Sequence, residues 1–184
     1  MIFNSFKHLK YSVLGILSIL VLFIFAIVLF SKVQREPERS ETILTEIKII
    51  PIDSDVLLRD SIVNFGMNFL DTPYLYGGSS KDGFDCSGFV YFVFQHFKIQ
   101  TPRSSFQFEN FGKEIPIDSV RKGDVVVFLS PTRNVIGHLG IVTDAKGMES
   151  NFIHASSGKE MKVVITSLKK DGYKRRFVKA LDVL

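Results

Sequence analysis

The hydrophobic period of this chain changes once, and that change restricts the folds open to it more than any other feature. Between Val56 and Phe97 apolar residues return at helical spacing: Val56, Ile62, Val63, Met67 and Leu70 in one segment, Phe89, Phe92, Val93 and Phe97 in the next. After Lys122-Gly123-Asp124, which reads as a turn, they fall in short β-rich runs: Val125 to Leu129, His138 to Thr143, Asn151 to Ala155, Val163 to Thr166 and Phe177 to Leu181. Helices first and strands afterwards predict an α+β domain with an antiparallel sheet packed on the second helix. Asp53 or Ser54 is placed to cap the first helix, and Pro73 to end it. The glycine-rich polar stretch from Tyr74 to Gly83 predicts a loop between the two helices.

The 184 residues suffice for one sizeable core, and a hydrophobic fraction of 46% suits a globular fold with an added apolar segment. That segment runs from Val13 to Phe30 without a charge and would span roughly 27 Å as a helix, near the thickness of a bilayer core. It reads as a single-pass membrane anchor over 11–31, after a short tail at 1–10. Lys7 and Lys10 before it and Lys32 and Arg35 after it nearly balance the positive-inside rule. The simpler arrangement leaves the tail inside and exports the large domain to the periplasm or the cell exterior. A cleaved signal peptide is the rival reading, although Phe25-Ala26-Ile27-Val28-Leu29 offers no clear cleavage site. Residues 32–52 mix charges of both signs around Pro37 and read as a linker, leaving 53–184 as the folded domain.

Cys86 is the single cysteine, so no internal disulfide exists, and it stands where the predicted loop enters the second helix. Free N–H groups and the positive end of a helix dipole favour a thiolate at such a position. Thiol catalysis also needs a base and a group to orient it. If the strands carrying His138 and His154 form a hairpin centred near Lys146, residues 138 and 154 pair. Both imidazoles then share a face, with His138 meeting Cys86 and His154 fixing its tautomer. Together these residues imply a cysteine hydrolase.

Each element has a plainer reading. A lone buried cysteine is more often inert, and either histidine alone is more often structural. Asp85 has the chemistry of a helix cap, His96 sits favourably at the end of an aromatic helix, and His8 only flanks the apolar run. One cysteine and two separated histidines lack a zinc motif, so no metal and no cofactor are expected. The net charge of +4 and sequence pI near 9.1 suit a surface working beside anionic wall polymers or lipid headgroups, and equally a solvated surface. Lys169, Lys170, Lys174, Arg175 and Arg176 cluster as nucleic-acid binders do, but an exported domain argues against that partner.

Six segments in order resemble the successive motifs of the NlpC-type cell-wall cysteine peptidases. They are Pro73-Tyr74-Leu75-Tyr76-Gly77-Gly78, Gly83 to Val90 around Cys86, Pro102-Arg103-Ser104-Ser105 with Gln107, Gly123 to Phe128, Gly137 to Val142 and Phe152-Ile153-His154-Ala155. The resemblance covers about Val56 to Leu184, and the ending Gly172 to Phe177 is similar to that of the murein endopeptidase branch. It implies a papain-like α+β fold and hydrolysis of peptide bonds in peptidoglycan stem peptides. It also implies Cys86 as nucleophile, His138 as general base and His154 as the residue orienting it. Tyr74 would help the oxyanion or substrate, and Asp85 and Ser87 would lie near the substrate amine. The loop between the two histidines is somewhat longer than in many relatives. The bond cut, either after D-glutamate in the stem or at the crosslink between D-alanine and a diamino acid, stays open, as does a regulatory partner. Two other classes share these residues: a thiol amidase or acyltransferase on a non-wall substrate, and a wall-binding module without turnover.

Overall fold

The computed structural model describes residues 20–32 and 53–184. Residues 20–32 form a helix whose side chains, Leu20, Phe23 and Phe30 among them, are exposed. Among the described residues no helix is long and apolar enough to cross a membrane. The helix covers only the later part of the expected span. The tail at 1–10, residues 11–19 of the expected anchor and residues 33–52 of the expected linker lie outside the described residues.

The domain from Asp53 onward has the α+β order expected. Helix α1 (Ser54–Met67) is capped by Asp53, whose carboxylate accepts the Asp55 N–H at 3.0 Å. It stops at Met67, before Pro73, because the chain turns out of the helix through Asp71 at φ 67°. Its buried face is narrower than the apolar spacing predicts: Ile62 and Val63 are buried, Val56 and Leu70 are exposed, and the charged Arg59 is buried beside them. The predicted loop holds a two-rung hairpin of β1 (Ser79–Ser80) and β2 (Gly83–Phe84). Helix α2 (Cys86–His96) follows directly.

Six strands then build one antiparallel sheet: β3 (Lys113–Ile115), β4 (Val125–Leu129), β5 (Ile136–Asp144), β6 (Asn151–Ala155), β7 (Val163–Ser167) and β8 (Phe177–Asp182). Their spatial order is β3-β8-β4-β5-β6-β7. A one-turn helix α3 (Asp171–Lys174) joins β7 to β8. Alternation along the strands sends side chains to two cores. Val125, Val127, Leu139, Ile141, Ile153 and Ala155 meet Phe89, Val90, Val93 and Phe94 of α2. Val126, Phe128, Val142, Phe152 and Ala180 pack on the other side with Leu168. Burial of each large side chain contributes about 1.5–3 kcal/mol, so the α2 face is a principal source of stability. Beyond β7 the segment 71–74 runs alongside: the Val163 N–H donates to Thr72 at 2.8 Å, and the Asp71 and Tyr74 N–H groups donate to Val163 at 3.0 Å and Met161 at 2.9 Å.

The β5–β6 register differs from the expected one. Ile141 pairs with Ile153 and Val142 with Phe152, and the register shifts before Asp144 meets Asn151. Continued outward, this register sets Gly140, not His138, opposite His154. The cause is the connection, where Gly147 takes φ 54° and the Ser150 hydroxyl donates to the Gly147 carbonyl at 2.7 Å while accepting the Lys146 N–H at 2.8 Å. A slip of two residues preserves the faces, so the histidines remain diagonal neighbours on one side. Gly140 is needed there, because a Cβ would run into the Phe152 ring.

An ionic knot holds α1 to the sheet. Arg59, 3% exposed, donates to Asp124 at 2.6 Å, Asp55 at 2.9 Å, Asp182 at 3.0 Å and the Lys122 carbonyl at 3.2 Å. Arg121 joins Asp55 and Asp182 from outside, each at 2.9 Å. Arg59→Ala leaves the fully buried Asp124 carboxylate without its cation and is expected to cost about 3–5 kcal/mol, read as a lower urea midpoint. An unchanged midpoint would show that water already screens the knot.

Candidate active site

Cys86 is the first residue of α2, and the cap before it is Asp85 in extended conformation. The Asp85 carboxylate accepts the Gly88 N–H at 2.6 Å and the Ser87 hydroxyl at 3.2 Å. Both of its oxygens also take the Arg103 guanidinium, each at 3.0 Å. Arg103 reaches on to the Gly77 and Gly78 carbonyls at 2.7 and 3.1 Å, tying the loop to the helix start. Gly88 permits this approach, since a Cβ would collide with the Gly78 carbonyl. Asp85 and Ser87, expected near a substrate amine, are therefore engaged with Arg103, and the capping reading of Asp85 holds.

The thiol is 8% exposed and donates to the Gly137 carbonyl at 3.7 Å, one residue before His138. Its hydrogen bond thus goes to the β5 backbone and not to the imidazole. His138 turns Nε2 to His154 Nδ1 at 2.9 Å, and His154 Nε2 lies 3.0 Å from the Thr166 hydroxyl and 3.4 Å from that of Tyr173. If His138 Nε2–H donates, His154 passes its own N–H to Thr166 or Tyr173, and His138 Nδ1 is left as a free base.

Burial sets the charges. It pushes the Cys86 thiol up to about 11, with the Asp85 carboxylate adding, against the N–H groups of Ser87, Leu139 and Cys86. His138 is held well below its ordinary value by burial, then by His154 and Arg176, and burial takes His154 down to about 3. Burial thus opposes the charged forms of the thiol and of both imidazoles, against the pull of the helix start toward a thiolate.

A cleft of about 750 Å³ opens over the thiol between Tyr74, Arg103, Phe106, Arg133 and Gly137. Tyr74 lies on its wall, and burial raises its phenol, followed by the nearby Cys86 and Asp85. His96 stacks on Phe65 at 3.8 Å between ring centres, far from the cleft residues in role, as its plainer reading expects. Among the described residues no three His, Cys, Asp or Glu side chains gather as metal ligands. Sequence reasoning assigned no role to Arg103, Thr166 or Tyr173. Arg103 and Tyr173 stand within segments quoted above, but their partners come from other elements and leave no local signal.

The comparisons agree with this geometry. The family model described as NlpC/P60 family matches residues 71–182. A murein DD-endopeptidase MepS/murein LD-carboxypeptidase of Escherichia coli is 35% identical over 131 residues, 71% of this chain and 65% of that protein. A gamma-D-glutamyl-L-lysine dipeptidyl-peptidase of Bacillus subtilis is 34% identical over 93 residues, 50% of this chain and 31% of that protein. The chain thus spans less than two thirds of the length of either relative. A solved NlpC/P60 family protein from Bacillus cereus superposes with a TM-score of 0.61 at 30% identity, covering 68% of this chain and 40% of that one. The NlpC/p60 domain of the peptidoglycan hydrolase SagA gives 0.55 at 26% identity, covering 67% and 97%. With a family model matched over more than half its residues, a cysteine opening the helix that packs on the sheet, and two histidines joined on the neighbouring strands, the chain belongs to the NlpC/P60 family.

Proposed function

We propose that the domain is a cysteine peptidase that hydrolyses peptide bonds in bacterial peptidoglycan through Cys86, His138 and His154. The observation that carries this reading is the placement of the thiol: it begins α2, touches the residue before His138 and floors an open cleft, while His138 is tied to His154. Relatives named as murein endopeptidases and as a gamma-D-glutamyl-L-lysine peptidase support the substrate class. We place the N-terminal run as a single-pass anchor that holds the domain on the outer face of the cell membrane; its support is the uncharged sequence from Val13 to Phe30.

The reaction starts from the uncharged thiol and imidazole, the forms that burial favours. Cys86 Sγ gives its proton to His138 Nδ1 as it attacks the carbonyl carbon, forming the C–S bond and a tetrahedral oxyanion. The Cys86 N–H holds that oxyanion, with the Tyr74 hydroxyl as second donor. His138 then protonates the departing amine as the C–N bond breaks. Water deprotonated by His138 cleaves the thioester and restores the thiol. His154 keeps the ring in the tautomer that leaves Nδ1 free. A thiol amidase acting on a non-wall substrate is the second reading, favoured by one relative, 36% identical, named gamma-DL-glutamyl hydrolase.

Purified sacculi incubated with the protein should release soluble muropeptides, identified by mass spectrometry, and Cys86→Ala should release none; undiminished release by that variant would falsify the assignment. Alkylation of Cys86 by iodoacetamide should accelerate continuously from about pH 7 to pH 10, because the buried thiol stays protonated over that range. A rate plateau reached below pH 7 would instead reveal an ion pair at rest. Stability has a matching signature. His154 resists protonation in the fold, so it contributes fully above its unfolded value near 6.5, and that contribution falls away as pH drops toward 3. His154→Gln should therefore flatten the decline in denaturant midpoint between pH 6 and 4, by up to about 1.4 kcal/mol per pH unit. An identical decline in both proteins would place the acid sensitivity elsewhere.

A further inference from the structure

The wall of the large cleft includes Gly137, and His138 is the next residue along β5. His138 borders a second cavity of about 160 Å³, lined also by Pro131, Gly137, Ser157, Tyr173 and Arg176. Gly137, whose carbonyl accepts the thiol, lines both cavities. Arg176 is the charged residue of the smaller one. Its Nε donates to the Gly172 carbonyl at 2.8 Å and its Nη1 to the Leu129 carbonyl at 2.8 Å, and the guanidinium lies 5.1 Å from the Tyr173 ring centre. These neutral partners fix the group in place without cancelling its charge. Among the described residues no carboxylate pairs with it, and no carboxylate lines the cavity.

We infer that this cavity receives a free carboxylate on the leaving-group side of the scissile bond, bound by Arg176. The inference rests on the hydrolase reading above. In that reaction the acyl carbon bonds to Cys86 at the floor of the large cleft, and the departing nitrogen must face His138, which protonates it. Whatever follows that nitrogen enters the space His138 borders. A volume of about 160 Å³ suits a carboxylate and the few carbons that carry it, and a fixed guanidinium matches carboxylate geometry. The leaving amines of the two candidate bonds differ in this respect. Where the diamino acid bears its second carboxyl on the same carbon as the departing amine, a crosslink to D-alanine leaves that carboxyl free. After D-glutamate in the stem, the corresponding carboxyl is spent in the next peptide bond. The cavity thus favours the crosslink. Arg176 also lowers the basicity of His138, so a carboxylate seated against it offsets that effect when the base is required.

The test uses the full protein with two purified crosslinked muropeptide dimers, one with the free carboxylate beside the crosslink amine and one with that carboxylate amidated. The wild-type protein should cleave the free form with a kcat/KM about ten- to a hundredfold higher. Arg176→Gln should lose that preference by slowing only on the free form, and Arg176→Lys should retain part of it. Equal cleavage of both dimers by the wild type overturns the inference without any variant, as does an equal loss on both in Arg176→Gln. Cys86-dependent cleavage confined to the bond after D-glutamate also overturns it while leaving the hydrolase reading intact. Absence of Cys86-dependent cleavage of any wall fragment overturns that reading, and the inference with it.

Discussion

Burial of the α2 aromatic face against the sheet is the constraint from which the rest of the domain follows. Phe89, Val90, Val93 and Phe94 are fully enclosed by residues of β4, β5 and β6, which leaves the helix no freedom to lift its first turn toward water. The thiol is therefore held against the Gly137 backbone in a dry setting. The same enclosure that stabilises the fold disfavours the charged forms of the thiol and the imidazoles. Burial that stabilises the fold and charge on these side chains are thus opposed at one place.

Much of this was legible from local pattern. The start of α2 at Cys86, the Asp53 cap and the extents of β4 and β6 follow from capping chemistry and from period, both carried by adjacent residues. The register of β5 against β6 was not, because Thr143 is passed over in the pairing and a hydroxyl on Ser150 remakes the turn. The error was an even number of residues, so the common face of the two histidines survived it. Arg59 illustrates a different blind spot: its helical neighbour Asp55 is visible at i−4, but nothing local says that Asp124 and Asp182 from distant segments will join it. The opposing influences on the Cys86 thiol differ in the same way. A helix start is visible in sequence, but the depth of burial over it belongs to the whole fold.

Arginine does three separate tasks here. Arg59 anchors a helix, Arg103 binds the loop 77–78 to the α2 cap, and Arg176 is pinned by carbonyls with its charge unspent. The first two face carboxylates within the chain and serve the fold. The third faces a cavity beside His138, and this difference in partners separates a cation tied to carboxylates of the fold from one without them.

The strip 71–74 along β7 has a consequence beyond shape. An uncovered outermost strand offers unpaired backbone groups to any other extended chain, and the hydrogen bonds of Asp71, Thr72 and Tyr74 occupy part of that template. At the opposite margin β3 is only Lys113–Ile115, and Lys113 and Glu114 are exposed there. A short charged border discourages pairing as well. Both margins of the sheet are thus guarded against accidental strand addition.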